Sequence, residues 1–135
     1  MSESEKRNEQ LVEKFFATLS TGDLDRLRPL FHENASWAVM AKAIPGAGEK
    51  KGREAILKEF LAPVRGLFED GDPKVTVKRM ISKGSLVAVE SAASGRLKNG
   101  KVYDNVYAWM IEIRDDKIFS IHEYMDSYYV STVMM

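Results

Sequence analysis

The chain contains no cysteine, which excludes disulfides, thiolate metal sites and a cysteine nucleophile and is compatible with a reducing cytoplasm. It also lacks net charge. Twenty Lys and Arg offset twenty Asp and Glu, so no overall field draws it to nucleic acid or to an anionic membrane surface. No apolar run approaches the ~18 residues needed to span a bilayer. The opening "MSESEKRNEQ" has no apolar stretch of the kind a signal peptide carries. Its two histidines, His32 and His122, lie far apart without a clear carboxylate cluster, so no metal site is expected. "GAGEKKG" lacks the Gly-Lys-Ser/Thr ending of a phosphate loop, and its lysines precede the last glycine. It reads instead as a lid over a pocket mouth. There are no internal repeats and no dividing linker. What remains, 135 residues with 44% hydrophobic and 30% charged, is expected to be one soluble cytoplasmic domain over residues 1–135.

Two periodicities follow one another. Leu11, Val12, Phe15, Phe16 and Leu19 recur at helical spacing and predict a helix from about Glu5 to Ser20. Gly22 suits its left-handed cap, and Asp23 can cap a short second helix, "LDRLRPLF", ending at Phe31. "NASWAVMA" reads as a strand from about Ala35 to Ala41, and "IPGAGEKKG" as a loop. A third helix starts near Arg53 and is expected to bend at Pro63. From Lys74 the period becomes two: four strands joined by "KG", "KNG" and "RDDK". Helices followed by an antiparallel meander predict an α+β fold, with the helices on one face of a curved sheet. The apolar ending at Met134 and Met135 is expected to pack on a neighbour or fray.

Alternation also assigns faces. In the third meander strand charge falls only on even positions, so Tyr103, Asn105, Tyr107, Trp109, Ile111 and Ile113 face the helices, and Val106, Ala108 and Met110 face away. A three-residue "KNG" loop pairs Ala93 with Asn105 and Ser91 with Tyr107. The last strand offers two registers. A three-residue loop after Arg114 sets Glu123 opposite Trp109 and turns Phe119, Ile121, Glu123 and Met125 inward. A two-residue Asp115-Asp116 turn brings His122, Tyr124 and Asp126 inward instead. Phe119, Ile121 and Met125 make the better core face, which favours the first.

Three segments, "VEKFFATLSTGDLDRLRPLFHENASW", "KGREAI" and "KIFSIHEYMD", resemble the nuclear transport factor 2-like superfamily. Within it the chain is most similar to SnoaL-like polyketide cyclases, ketosteroid isomerases and limonene epoxide hydrolases, from about Asn8 to Tyr129. The resemblance implies a cone of mostly antiparallel sheet wrapped over three helices, an apolar pocket, and frequent dimers through the outer sheet face. The three polar positions of the isomerases fall on Phe15, Val39 and Trp109, and none keeps its polar group. The positions of the hydrolases fall on Ser91 and Ala93, on Glu123, and on Trp37 and Val39. One carboxylate survives, Glu123.

These readings converge on an enzyme that acts on a small, largely apolar molecule by acid/base chemistry, with no metal or cofactor. Glu123 is the candidate catalytic residue, because a desolvated carboxylate gains the basicity a proton acceptor needs. Phe15, Leu19, Trp37, Val39, Ser91, Asn105, Tyr107, Trp109, Ile121 and Met125 are the candidate substrate-binding residues. A buried glutamate also serves as the structural partner of an arginine or of backbone donors. Inward aromatics fill cores as well as line pockets. A non-catalytic ligand-binding or association module of the same fold therefore stays open. The expected partner is a second copy through the outer sheet face, where Val106, Ala108 and Met110 form an apolar strip.

Overall fold

In the computed structural model, which describes residues 1–135, helix α1 runs over Glu3–Thr21. Ser2 and Glu5 form a capping box at its start, and Gly22 closes it in the left-handed conformation, its N–H donating to Leu19 O. Val12, Phe15, Phe16 and Leu19 form its buried stripe. Asp23 accepts from the Arg26 N–H and caps α2, Leu24–Leu27, which tightens into a 3-10 turn over Arg28–Leu30. The second helix thus ends before Phe31, since Phe31 already opens strand β1, Phe31–Val39.

The expected loop after β1 is partly strand. Gly48–Lys51 forms β2, antiparallel to β1, with Trp37 opposite Lys50. Lys50 Nζ donates to the carbonyls of Gly46, Ala47 and Gly48 and ties the turn together. A Cβ on Gly46 would come within 2.8 Å of the Phe60 ring, so the backbone there packs on Phe60 as only glycine allows.

Helical backbone is continuous over residues 53–65, as α3 (Arg53–Ala55), a π-helical turn (Ile56–Leu61) and α4 (Ala62–Arg65). Pro63 has no N–H and its ring crowds the carbonyl four residues back, so the preceding turn widens and Ala62 N–H donates to Leu57 O. The bend expected at Pro63 appears as this wide turn.

Strands β3 (Lys74–Lys83), β4 (Leu86–Arg96), β5 (Val102–Arg114) and β6 (Lys117–Met125) form the meander. The sheet order is β2-β1-β6-β5-β4-β3, with β1 and β6 parallel and every other pair antiparallel. Gly100 is left-handed in a three-residue loop, and Ala93 faces Asn105 as the spacing predicts. Inward positions of β4 and β5 are buried, Gly95 and Tyr107 only partly, while Val102, Val106 and Met110 are exposed.

The β5–β6 hairpin combines both registers considered from the sequence. Asp115 and Asp116 form a two-residue turn with φ of 55° and 57°, the left-handed pair that twisted hairpins favour. Arg114 pairs with Lys117 and Ile113 with Ile118, yet Glu112 pairs with Ser120. Phe119 is the extra residue of a β-bulge. Beyond it Ile111 faces Ile121 and Trp109 faces Glu123. Phe119 therefore does not share the inner face. Ile118 is buried in its place, and Phe119 packs edge-on to His32 at 5.2 Å and under Arg114 at 3.8 Å.

The chain's end is α5, Ser127–Met134, capped by Asp126. Val130 buries against Phe68, Ala93, Leu97 and Tyr103 in a second core cluster, so the tail packs on its own domain. No helix is long and apolar enough to cross a membrane.

Phe16 is 1% exposed and meets Phe15 and Trp109 edge to face at 5.1 Å each. Phe16→Ala is expected to cost ~3–5 kcal/mol. Denaturant unfolding measures it, and an unchanged stability would mean the face of α1 is misassigned.

Candidate active site

Glu123 reaches the inner face because the Phe119 bulge shifts the register by one. It is buried, 9% exposed. The Trp37 indole N–H donates to its Oε1 at 2.7 Å. Strand pairing enforces this contact, since β1 and β6 run parallel with Trp37 beside Ile121 and Val39 beside Glu123. No other protein group bonds the carboxylate. Oε2 has no hydrogen-bond partner in the protein, and Glu123 forms part of the wall of a cavity.

That cavity holds about 90 Å³ of free space between sheet and helices. Its inner wall is Leu19, Trp37, Tyr107, Trp109 and Glu123. Phe60, Leu61, Val64 and Arg65 form the helical wall, and Phe68, Pro73, Val75, Ala93 and Met134 close the rest. Glu123 and Arg65 are the charged members.

Burial pushes the Glu123 carboxyl up from an ordinary 4.5 to about 7. The Trp37 hydrogen bond and the positive charge of Lys50 both oppose that rise, so desolvation wins. Lys50 makes no ion pair with Glu123. Its ammonium sits in the three-carbonyl cradle, 4.8 Å above the Phe60 ring, and burial lowers its own pKa.

Of the candidate residues, Leu19, Trp37, Tyr107, Trp109 and Glu123 come together around the cavity. Phe15, Val39, Ser91, Asn105, Ile121 and Met125 do not line it. Phe15 points one position past the floor into the core, against Phe16, Phe31 and Trp37. Val39 and Ile121 are sealed core residues. Ser91 accepts from the Trp109 indole at 2.8 Å and orients that ring. Asn105 bonds Tyr103 and the Asp126 carbonyl, and Met125 packs, partly buried, at the core margin. Sequence reasoning did not place Phe60, Leu61, Val64, Arg65, Phe68, Pro73, Val75, Ala93 or Met134 on the cavity, nor Lys50 near Glu123. Only the unusual "EKKG" turn signalled Lys50, and the others depend on how helices cross the sheet. No group of three or more His, Asp or Glu side chains gathers at a spacing that holds a metal ion.

Since the raised pKa means that the folded state holds this proton more tightly, Glu123 favours folding below the ordinary pKa. That contribution is lost as pH rises toward the folded value, between about 4.5 and 7. Glu123→Gln keeps an acceptor for Trp37 and removes the charge. The variant is therefore expected to gain on the wild type across that window, by up to ~3 kcal/mol at pH 7. Melting curves at several pH values check it, and a wild-type advantage growing toward pH 7 would sink the desolvated-acid description.

The fold has close parallels among solved structures. A nuclear transport factor 2-like protein from Burkholderia xenovorans is 25% identical, with 99% of this chain and 100% of that chain covered and a TM-score of 0.81. A putative SnoaL-like polyketide cyclase from a Jannaschia species is 17% identical, with coverage of 98% and 94% and a TM-score of 0.84. An LEH-like epoxide hydrolase from M. tuberculosis is 16% identical, with coverage of 96% and 90% and a TM-score of 0.78. No match is found among curated proteins. The sequence itself matches the SnoaL-like domain over residues 12–121. With most of its length inside that match, the chain belongs to the SnoaL-like domain family.

Proposed function

We propose that the chain is an acid/base enzyme acting on a small, largely apolar organic molecule, with Glu123 as proton acceptor and no metal or cofactor in the step. The observation that carries this reading is a buried carboxylate that lines the cavity beside Trp37, Trp109 and Tyr107 and whose Oε2 has no hydrogen-bond partner in the protein. With a pKa of about 7, the group is ionised in a useful fraction near neutrality and still basic enough to take a proton. Isomerisation, cyclisation and epoxide opening all begin with removal of one proton, from carbon or from water. The cyclase and epoxide hydrolase among the structural neighbours support that range of reactions by fold analogy. Size narrows it. At about 90 Å³ the cavity is smaller than the ~150 Å³ site that takes up benzene, so a ligand enclosed there is smaller than one six-membered ring, a short chain of a few heavy atoms. The rival reading, a binding module without turnover, is favoured by the bulk of Trp37 and Trp109 in that space.

Turnover of a panel of small ketones and epoxides separates the two. Glu123→Gln is expected to lower the rate ~10²–10⁴-fold. Turnover retained by the variant excludes Glu123 as the base, and ligand binding without any wild-type turnover favours the binding module.

A second copy of the chain is the partner we propose for the outer sheet face. Val102, Val106, Met110 and Tyr124 are exposed there on adjacent strands. The Arg79–Glu90 pair beside them, at 2.9 Å, supplies both signs of charge, which suits a face that meets itself about a two-fold axis. Sedimentation is expected to give twice the 15.3 kDa chain mass, and Val106→Asp to restore the monomer. A monomer in the wild type at micromolar concentration overturns this.

A further inference from the structure

We infer that Tyr107 is a hydrogen-bond donor of the cavity, placed on its sheet wall, and that the ligand there presents an oxygen acceptor such as a ketone carbonyl. The inference rests on the cavity and the small apolar ligand proposed above, and adds the functional group that ligand must carry.

Hydrogen bookkeeping leads to it. Val106 N–H donates to Asn105 Oδ1 at 2.8 Å, while Asn105 Nδ2 donates to the Asp126 carbonyl at 3.2 Å. A backbone N–H can only donate and a carbonyl can only accept, so the Asn105 amide has one possible orientation. Its Nδ2 then also donates to the Tyr103 hydroxyl at 3.0 Å. Tyr103 is 1% exposed, and the only other polar atom its hydroxyl meets is the Tyr107 oxygen, at 2.5 Å. Were Tyr107 the donor, the buried Tyr103 hydrogen would have no acceptor, the costlier arrangement. The hydrogens therefore run from Asn105 to Tyr103 to Tyr107. Each bond polarises the next and sharpens the last donor.

That last donor has no acceptor in the protein, because Tyr103 is the only hydrogen-bond partner of Tyr107. Tyr107 lines the same cavity as Glu123. It lies two positions from Trp109, which pairs with Glu123, so the two are diagonal neighbours on the inner sheet face, roughly 7–8 Å apart in such sheets. Its ring stacks on Trp109 at 5.5 Å and 16°, which fixes the direction of the hydroxyl. Burial holds the phenol well above its usual pKa, so it keeps its proton at any ordinary pH. Since Glu123 lines the same small cavity, a ligand whose oxygen is held by Tyr107 has its neighbouring carbon in the space that Glu123 also borders. When a proton passes to Glu123, the negative charge left on the ligand collects at the oxygen that Tyr107 holds. Asn105 and Tyr103 are positioning residues in this scheme.

Binding tests it independently of turnover. Trp37 and Trp109 are the two tryptophans of the chain and both line the cavity, so intrinsic fluorescence reports occupancy. Acetone and isobutene have nearly the same shape and fit the small cavity, and only the first has an oxygen acceptor. The wild type is expected to prefer the ketone roughly tenfold. Tyr107→Phe should abolish the preference, and Tyr103→Phe should weaken it while the cavity still takes the hydrocarbon. Equal affinities in the wild type, an undiminished preference in folded Tyr107→Phe, or no binding of either probe up to its solubility limit overturns the inference. Should Tyr107→Phe fail to fold, Tyr103→Phe decides, an unchanged preference counting against the relay. A ketone preference in a chain that turns nothing over would sink the enzymatic reading and leave this one standing.

Discussion

The hinge of this structure is one unpaired residue in a hairpin. The Asp115-Asp116 turn by itself pairs β5 with β6 so that His122 would face Trp109. The bulge at Phe119 adds one residue to β6, and from Ser120 onward every side chain changes sides. Phe119 is retained outside the ladder because it has somewhere to go, between the His32 ring and the Arg114 guanidinium. Its outward packing puts a carboxylate, and not an imidazole, at the centre of the inner face. The residues that hold it, far from the cavity, thereby decide the chemistry available within it.

Once Glu123 is inside, its surroundings set its basicity by subtraction. A direct ion pair with Lys50 would hold the carboxyl below its ordinary pKa and make it a structural group. The ammonium is drawn instead to the carbonyls of Gly46, Ala47 and Gly48. Glu123 keeps one neutral hydrogen bond from Trp37 and a distant positive field, too little to offset desolvation. The same carbonyl cradle seats the β1–β2 turn on Phe60, so the wall of the cavity and the electrostatics of its acid have a common origin.

Aromatic packing joins the site to the fold. Trp37 touches Phe15, Phe31, Phe60 and Trp109 with ring centroids 5.3–6.3 Å apart, which holds the indole N–H on Glu123. Ser91 does the same for Trp109 by accepting its N–H. Several side chains that seemed ready to touch a ligand act one step behind those that do. Ser91 orients a wall residue, and Asn105 orients a tyrosine pair.

Local pattern alone determined much of this. The helical stripe of α1, its glycine cap, the four meander strands, the "KNG" loop and the inward parity of β4 and β5 are short-range consequences of residue order, and each is legible without a structure. Glu123 as the one carboxylate on an apolar face was legible too. The bulge was not, because alternation counts residues and cannot show which one leaves the ladder. Nor were strand β2, short and rich in lysine, the helix at Ser127–Met134, or Lys50, Arg65 and Met134 as neighbours of the cavity. Those depend on where elements distant in sequence come to rest. The sequence by itself determined which residues of α1, β4 and β5 face inward; tertiary packing decided where β6 changes sides and which inward residues have free space beside them, because a cavity is a property of several elements at once and of no single strand or helix.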